Sequence, residues 1–231
     1  MATERVCLHV KKSQSQFNFL KRFFVNSMGH GSSNPLPEAE AQAIEQETGF
    51  TRSQIVRLHK RFKNLDRKKR GYLEREDFLS ISELNLNPLG DRIVDAFFVE
   101  SVNHPDPNYR IYNGADENRI TFAQFVRVLS YFRPVDLEEP EQGSNSRINK
   151  LRFAFSMYDL NKNNYITREE FKFILNSMVG TSITAEQLDN IAERTIKEAD
   201  LDNDDRISFR EFCRAMERAN IEQKMSMRFM N

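Results

Sequence analysis

The sequence of 231 residues has no tryptophan, only two cysteines and no long apolar run. Cys7 and Cys213 lie far apart in the chain, which is typical of free thiols in a reducing compartment and not of a disulfide framework. No apolar run approaches the roughly 18 residues of a membrane span. The N-terminal region also lacks the apolar segment of a secretory signal peptide. We therefore expect a cytosolic protein.

Residue types that carry catalysis are sparse as well. The four histidines, His9, His30, His59 and His104, are scattered along the chain, and the eight glycines form no Gly-rich phosphate loop. The acidic residues that do cluster have the spacing of metal ligands. We therefore expect a protein that is not an enzyme.

Neither sign of charge is in excess, because 34 Lys and Arg residues balance 34 Asp and Glu residues. The distribution is uneven, since residues 1–27 contain five basic residues and a single acidic one. The rest of the chain is therefore mildly acidic. An acidic body argues against nucleic acid as the main partner.

Two twelve-residue segments carry oxygen-bearing side chains at a fixed spacing. Segments 159–170 (loop 3) and 200–211 (loop 4) begin 41 residues apart, and each has such side chains at positions 1, 3, 5, 9 and 12 and Ile at position 8. This is the spacing of an EF-hand calcium loop, in which position 7 offers its backbone carbonyl and a final Glu supplies two oxygens. We therefore predict two bound Ca²⁺ ions. The predicted ligands are Asp159, Asn161, Asn163, Tyr165 and Glu170 in loop 3, and Asp200, Asp202, Asp204, Arg206 and Glu211 in loop 4, with Thr167 and Ser208 as the oxygen-bearing residues at position 9.

Both loops depart from the usual pattern at position 6, where Asn164 and Asp205 replace glycine. Asn and Asp tolerate the left-handed backbone region better than other residues with a side chain, so the turn is still expected. The loops also differ in charge. Loop 4 offers four carboxylates, whereas loop 3 offers two and contains Lys162. Because ligand charge helps to set affinity, we predict tighter binding in loop 4.

Two further segments have the same register but lack the ligands. Loop 1 (66–77) has Lys68 and Arg70 at positions 3 and 5, where two cations would repel a metal ion. Loop 2 (113–124) has Ala115 at position 3 and Gln124 at position 12, so it lacks an anionic bidentate ligand. We expect both loops to be free of metal.

Four helix-loop-helix units predict an all-α fold of two EF-hand pairs. The residues at position 8 should join each pair through a short two-stranded contact, Leu73 with Ile120 and Ile166 with Ile207. Capping boxes at Thr51-Arg-Ser-Gln54 and Thr184-Ala-Glu-Gln187 are expected to begin helices. The predicted regions are an N-terminal extension (1–36), an N-terminal pair (37–132), a linker (133–147), a calcium-binding pair (148–220) and a C-terminal tail (221–231).

The N-terminal extension permits more than one interpretation. Residues 1–27 are basic and aromatic, and we favour a disordered extension over a short amphipathic helix at a membrane surface. Met28-Gly-His-Gly-Ser-Ser33 matches the acceptor pattern for N-myristoylation on Gly29, provided that translation starts at Met28. The chain would then be a long form of a shorter acylated protein. The alternative is a flexible Gly/Ser linker.

Several stretches resemble a known family. From about Met28 to the C-terminus, the chain resembles the calcineurin B homologous proteins and, more loosely, the regulatory calcineurin B protein, which is a carrier of four working loops. Residues 1–27 have no recognised counterpart. The stretches that carry the resemblance are residues 47–55 (ETGFTRSQI), 87–93 (NPLGDRI), 131–134 (YFRP), 149–155 (NKLRFAF) and 222–229 (EQKMSMRF).

The resemblance implies a regulatory subunit of plasma-membrane sodium/proton exchangers. Such a protein binds an amphipathic helix of the exchanger just inside the membrane and supports exchange activity and pH regulation, in the cytoplasm and at the cytoplasmic face of the plasma membrane. It also implies an acylated Met-Gly start, which strengthens the prediction for Gly29. The alternatives are a regulatory protein of the calcineurin B type, or an inhibitor, that acts on a calcineurin-type phosphatase. A third alternative is a soluble calcium buffer.

Phenylalanine is the abundant apolar residue, with 19 copies against eight methionines. Paired EF-hands present an apolar groove to a partner helix. A groove rich in Phe and poor in Met favours a stable fit to one target over promiscuous binding. Most of these Phe residues are nevertheless expected in the core.

Acylation is the first prediction to test. Mass spectrometry of the native protein should find a mature N-terminus at Gly29 carrying a myristoyl group. The absence of any acylated Gly29 peptide would contradict the proposed start at Met28.

Overall fold

The computed structural model describes residues 36–102, 118–135 and 143–227. Within these ranges the fold is helical, with two short two-stranded sheets, and the predicted all-α EF-hand class is confirmed. The helices are α1 (Glu38–Thr48), α2 (Arg52–Leu65), α3 (Arg75–Leu79), α4 (Ser82–Asn85), α5 (Gly90–Val102), α6 (Phe122–Ser130), α7 (Arg147–Ser156), α8 (Arg168–Val179), α9 (Ala185–Ala199), α10 (Phe209–Ala215) and α11 (Ile221–Lys224), with a 3₁₀ turn at Gly180–Ser182. The strands are β1 (Tyr72–Leu73), β2 (Ile120–Thr121), β3 (Tyr165–Thr167) and β4 (Arg206–Ser208).

Both predicted capping boxes begin helices. The Gln54 side chain accepts a hydrogen bond from the Thr51 N–H at 3.0 Å, and Thr51 Oγ1 accepts one from the Gln54 N–H. Thr184 and Gln187 make the same reciprocal pair at the start of α9. Each box satisfies two N–H groups that a helix start would otherwise leave without a partner.

The two sheets join the helix-loop-helix units into pairs as the sequence predicts. Leu73 lies opposite Ile120 in the antiparallel pair β1–β2, and Ile166 lies opposite Ile207 in β3–β4. All four side chains are buried. Each loop is therefore anchored to its partner loop by backbone hydrogen bonds and to the apolar core by the side chain at position 8.

The two pairs share one continuous apolar core. Helix α5 of the first pair packs against α7 of the second. At the same junction the rings of Phe132 and Phe153 meet edge to face, with centroids 5.0 Å apart. The C-terminal residues Met225 and Met227 are buried as well, and the Met227 N–H donates to the Phe132 carbonyl at 2.6 Å. The part of the tail that the structure describes is thus integral to the core.

The described ends of the predicted linker are ordered by hydrogen bonds. Asn145 and Ser146 are buried, and Asn145 Nδ2 donates to the Pro134 carbonyl. Helix α7 begins at Arg147, the last residue of the predicted linker. In the described ranges, no helix combines the length and apolarity needed to cross a membrane.

Lys150 on α7 is the least expected core residue, because its side chain is fully buried. Its Nζ donates to the carbonyls of Tyr131 and Arg133, the latter at 2.7 Å, and so binds the chain where α6 ends. A cation at a helix C-terminus satisfies carbonyls that lack helical partners. Burial lowers the pKa of Lys150 to about 7, with the Glu222 carboxylate opposing and Arg133 adding to the shift.

This pKa predicts a pH-dependent stability. Above about pH 7 the folded chain releases a proton that the unfolded chain, with an ordinary lysine pKa of 10.5, still holds. The free energy of unfolding should therefore rise with pH, by about 2–3 kcal/mol between about pH 7 and pH 9, relative to a Lys150→Met variant. Denaturant unfolding of both proteins across this range measures the difference. If the difference in the free energy of unfolding between the wild type and Lys150→Met did not change with pH, the lowered pKa of Lys150 would be contradicted.

Candidate calcium centre

The carboxylate at position 1 organises the backbone of both C-terminal loops. In loop 3, Asp159 accepts hydrogen bonds from the N–H groups of Asn163 and Asn164 at 3.1 and 2.8 Å. In loop 4, Asp200 accepts from the N–H groups of Asp204 and Asp205 at 3.3 and 2.8 Å. A short acidic side chain that bonds its own downstream backbone closes a tight turn.

The turn at position 6 has the predicted conformation. Asn164 and Asp205 have φ angles of 67° and 61°, in the left-handed region. Position 4 is also left-handed, with φ of 60° at both Lys162 and Asn203, and the spacing of the ligands did not predict this second reversal. Lys162 carries the larger cost, because long side chains rarely adopt this region.

The glutamate at position 12 has a structural role beside its predicted role as a ligand. Glu170 Oε2 accepts from the Thr167 N–H and Oγ1 at 2.9 and 2.7 Å, which forms a capping box at the start of α8. Its Oε1 accepts from the Leu160 and Asn161 N–H groups at 3.0 and 3.2 Å, across the loop. Glu170 thus ties the beginning of the loop to the following helix.

Loop 4 repeats this arrangement. Glu211 Oε2 accepts from the Ser208 N–H and Oγ, both at 2.8 Å, and its Oε1 accepts from the Leu201 N–H at 2.7 Å. Burial of Glu211 disfavours its charged form, but these hydrogen bonds outweigh the burial and lower its pKa. Both glutamates were predicted as ligands only, although the Thr/Ser-x-x-Glu pattern is also a signal for a capping box.

Loop 4 brings three predicted ligands together. Carboxylate oxygens of Asp200, Asp202 and Asp204 lie within 4.8 Å of one another, the one such group of acids in the described ranges. The pKa of Asp202 is raised, first by desolvation and then by the charges of Asp204, Glu211 and Asp200. A set of hard oxygen atoms with mutually repelling charges fits a divalent cation such as Ca²⁺.

Loop 3 has fewer charges and more amides. Its Asn161 and Asn163 Oδ1 atoms accept from the N–H groups of Asn163 and Tyr165 at 3.0 and 2.9 Å. Desolvation raises the pKa of Asp159 despite the hydrogen bonds that it accepts, and the nearby Glu170 adds to the shift. This oxygen set also fits Ca²⁺, with two carboxylates in place of four.

The side chains at position 7 contact each other, and that of Arg206 also bonds a predicted ligand, Asp204. The Arg206 guanidinium lies 4.0 Å from the centre of the Tyr165 ring, and its Nε donates to Asp204 Oδ2 at 2.7 Å. Only the backbone carbonyls of Tyr165 and Arg206 were predicted as ligands, so these side-chain contacts are compatible with the prediction. The stacked pair also links loop 3 to loop 4 beside the β3–β4 contact.

Loop 1 has the same backbone arrangement but contains a cation of its own. Asp66 accepts from the N–H groups of Arg70 and Gly71 at 2.9 and 2.7 Å. The Arg70 guanidinium is hydrogen-bonded to Glu74 and Asp77, at positions 9 and 12. Lys68, the other predicted source of repulsion, is exposed.

Loop 2 is described only in part. Residues 113–117 of this loop, including Ala115, lie outside the described residues. Gln124 at position 12 accepts hydrogen bonds from the Thr121 N–H and Oγ1 at 2.8 and 3.0 Å and caps α6. A neutral amide thus makes the same capping contact that glutamate makes in loops 3 and 4. The absence of metal from loop 2 stays a prediction.

Known proteins are similar in sequence to most of this chain. Residues 148–217 match the family model of an EF-hand domain pair. The calcineurin B protein of Naegleria gruberi is 35% identical over 201 residues, which cover 87% of this chain and 99% of that protein. This chain belongs to the calcineurin B-like EF-hand family. The type 2 calcineurin B protein of Dictyostelium discoideum (32%, covering 86% and 96%) and the calcineurin B protein of Kluyveromyces lactis (35%, covering 83% and 95%) are similar relatives.

Membership of the calcineurin B-like family confirms the broader of the two resemblances. The match of residues 148–217 to an EF-hand pair indicates calcium binding, and the location of the ions stays a prediction. The number of ions and their ligands stay predictions, as does the narrower resemblance to the calcineurin B homologous proteins. Gly29 and residues 1–35 of the N-terminal extension lie outside the described residues.

Calorimetry can test the predicted order of affinity in this calcineurin B-like protein. Glu211→Gln should abolish the tighter of two calcium-binding steps, and Glu170→Gln the weaker, because loop 4 has more ligand charge. Glutamine keeps an acceptor for the capping box, so each variant removes charge from the loop while the start of the exit helix stays satisfied. Equal losses from the two variants would count against the predicted order.

Proposed function

We propose that this protein is a calcium-binding regulatory subunit, and not an enzyme, that holds an amphipathic helix of a sodium/proton exchanger. It would act in the cytoplasm and at the cytoplasmic face of the plasma membrane and support the exchanger's activity and pH regulation. The observation that carries the proposal is the contrast between acid-lined loops 3 and 4 and loop 1, where Arg70 lies among the acids. The resemblance to the calcineurin B homologous proteins implies two N-terminal loops without metal and two C-terminal loops that bind calcium.

A groove in the second pair supports the binding of a helix. It lies between α7, loop 4 and α10 and has a volume of about 1100 Å³. Two of its apolar side chains are open to solvent, Ile148 at 43% and Leu201 at 51% exposure. An amphipathic helix can place its apolar face against exposed apolar side chains such as these, which lie among charged lining residues. The lining residues are Arg147, Ile148, Leu151, Leu201, Asp202, Ser208, Arg210, Glu211, Cys213, Arg214 and Glu217.

Acylation would complement this contact. A single myristoyl chain on Gly29 gives only marginal membrane binding, so stable attachment needs a second interaction. A helix of a membrane-embedded exchanger would supply it.

The second candidate function is that of a regulatory protein of the calcineurin B type, or an inhibitor, for a calcineurin-type phosphatase. The names of the relatives favour it, since several are calcineurin B proteins by name and match more than four fifths of this chain. The partner would again be a helix. The two candidates therefore differ in the identity of the partner and in whether it resides in a membrane.

Purification from cells separates the two candidates. Tagged full-length protein is recovered from detergent-solubilised membranes and from cytosol, with calcium or with chelator, and co-purifying proteins are identified by mass spectrometry. We expect a sodium/proton exchanger in the membrane fraction. Recovery of a phosphatase catalytic chain alone would overturn the exchanger assignment in favour of the second candidate.

A matched pair of variants tests the groove in the same experiment. Ile148→Asp places a charge among its apolar side chains and should lower the recovery of the partner by about tenfold, the equivalent of about 1.4 kcal/mol. Leu86→Asp makes the same change at a residue of the first pair that is 82% exposed, and should leave recovery unchanged. Equal recovery with both variants would place the partner elsewhere.

A further inference from the structure

Loop 1 has the backbone conformation of the two predicted calcium loops although it lacks their ligands. Positions 4 and 6 have positive φ angles in all three loops, and in loop 1 these are 55° at Lys69 and 83° at Gly71. The carboxylate at position 1 accepts the N–H groups of positions 5 and 6 in each loop, here from Arg70 and Gly71 to Asp66. Something other than a set of calcium ligands must therefore balance the acids of loop 1.

The Arg70 side chain lies where it can balance them. It belongs to position 5, which in loops 3 and 4 carries a predicted ligand. Its guanidinium contacts Asp77 and Glu74, and its Nε lies 3.8 Å from Asp66 Oδ1. The side chains of Arg70, Asp66 and Asp77 are only 16%, 6% and 10% exposed. One cation thus meets the acids of positions 1, 9 and 12 in a largely desolvated space.

Arginine suits this place better than the neighbouring lysine. The planar guanidinium presents several N–H donors in a fixed fork and can bond two carboxylates at once, whereas an ammonium is a compact point charge. The Tyr72 ring at position 7 also flanks the Arg70 guanidinium, at 5.1 Å from its centre. Lys68 is exposed instead.

We propose that Arg70 is a built-in substitute for calcium, which holds loop 1 in the conformation of an ion-filled loop at any calcium concentration. The first pair then keeps its shape while calcium acts on loops 3 and 4 alone. Regulation by calcium would be confined to one half of the molecule. This inference does not depend on which partner the protein binds.

Hydrogen exchange of the full-length protein tests the substitution directly. In the wild type, the amides of Arg70 and Gly71, which Asp66 holds, should be equally protected with calcium and with chelator. Arg70→Ala should make them exchange about tenfold faster in both conditions, a loss of about 1.4 kcal/mol of local stability. Lys68→Ala is the matched control and should change nothing. Wild-type protection that falls on chelation, or unchanged protection in Arg70→Ala, would overturn the proposal.

A second variant distinguishes a cation site from a general packing role. Lys68→Asn combined with Arg70→Asp removes the cations at positions 3 and 5 of loop 1 and places side-chain oxygen atoms there instead. Calcium should restore the protection of residues 70 and 71 in this variant, and equilibrium dialysis should find one more ion per molecule than in the wild type. Protection that stays low with and without calcium would show that the acids of loop 1 do not form a cation site.

Discussion

The structure depends on how closely spaced carboxylates are neutralised in the loops. An acidic side chain at position 1 closes loops 1, 3 and 4 by accepting the backbone N–H groups of positions 5 and 6, and other acids lie close to it. Such acids repel one another unless a cation lies among them. In loop 4 the oxygen set fits Ca²⁺, whereas in loop 1 the Arg70 guanidinium provides the charge. The same loop geometry therefore suits both a predicted exchangeable Ca²⁺ ion and the permanently attached guanidinium of Arg70.

Charge in the loops is coupled to the helices by the residue at position 12. Glu170 and Glu211 each cap the helix that follows the loop, and each also accepts hydrogen bonds from N–H groups at the beginning of the loop. A ligand that draws on these carboxylates therefore acts on the start of the exit helix. Helix α10 also lines the groove that we propose for a partner. In our proposal, calcium and the partner would therefore bind to shared structural elements, and this would give a regulatory protein a physical route between the two.

The two EF-hand pairs pack against each other and against the described part of the tail. Lys150 of the second pair binds the carbonyls at the end of α6 in the first, and Met227 bonds to Phe132 beside it. Polar groups at this junction are paired, which removes much of the cost of their burial. The C-terminal segment therefore contributes to the junction between the pairs, and the groove is formed on a body that is continuous across them.

The sequence alone determined the elements that depend on local spacing. Short patterns whose geometry is set within one loop determined the capping boxes, the place of Ile166 at position 8 and the left-handed turn at Asn164. The same patterns predict the calcium ligands. The tertiary structure decided which charged and apolar side chains are buried and with which groups they pair, because the spacing of residues along the chain does not specify this. In the structure Arg70, which we expected to repel a metal ion, pairs with three acids of loop 1. The charged Lys150 and Met227, which lies near the C-terminus, are both buried. The burial of Lys150 and Met227 depends on hydrogen bonds and desolvation that distant segments supply, whereas Arg70 pairs within loop 1 and its role depends on where its side chain lies and how far it is desolvated.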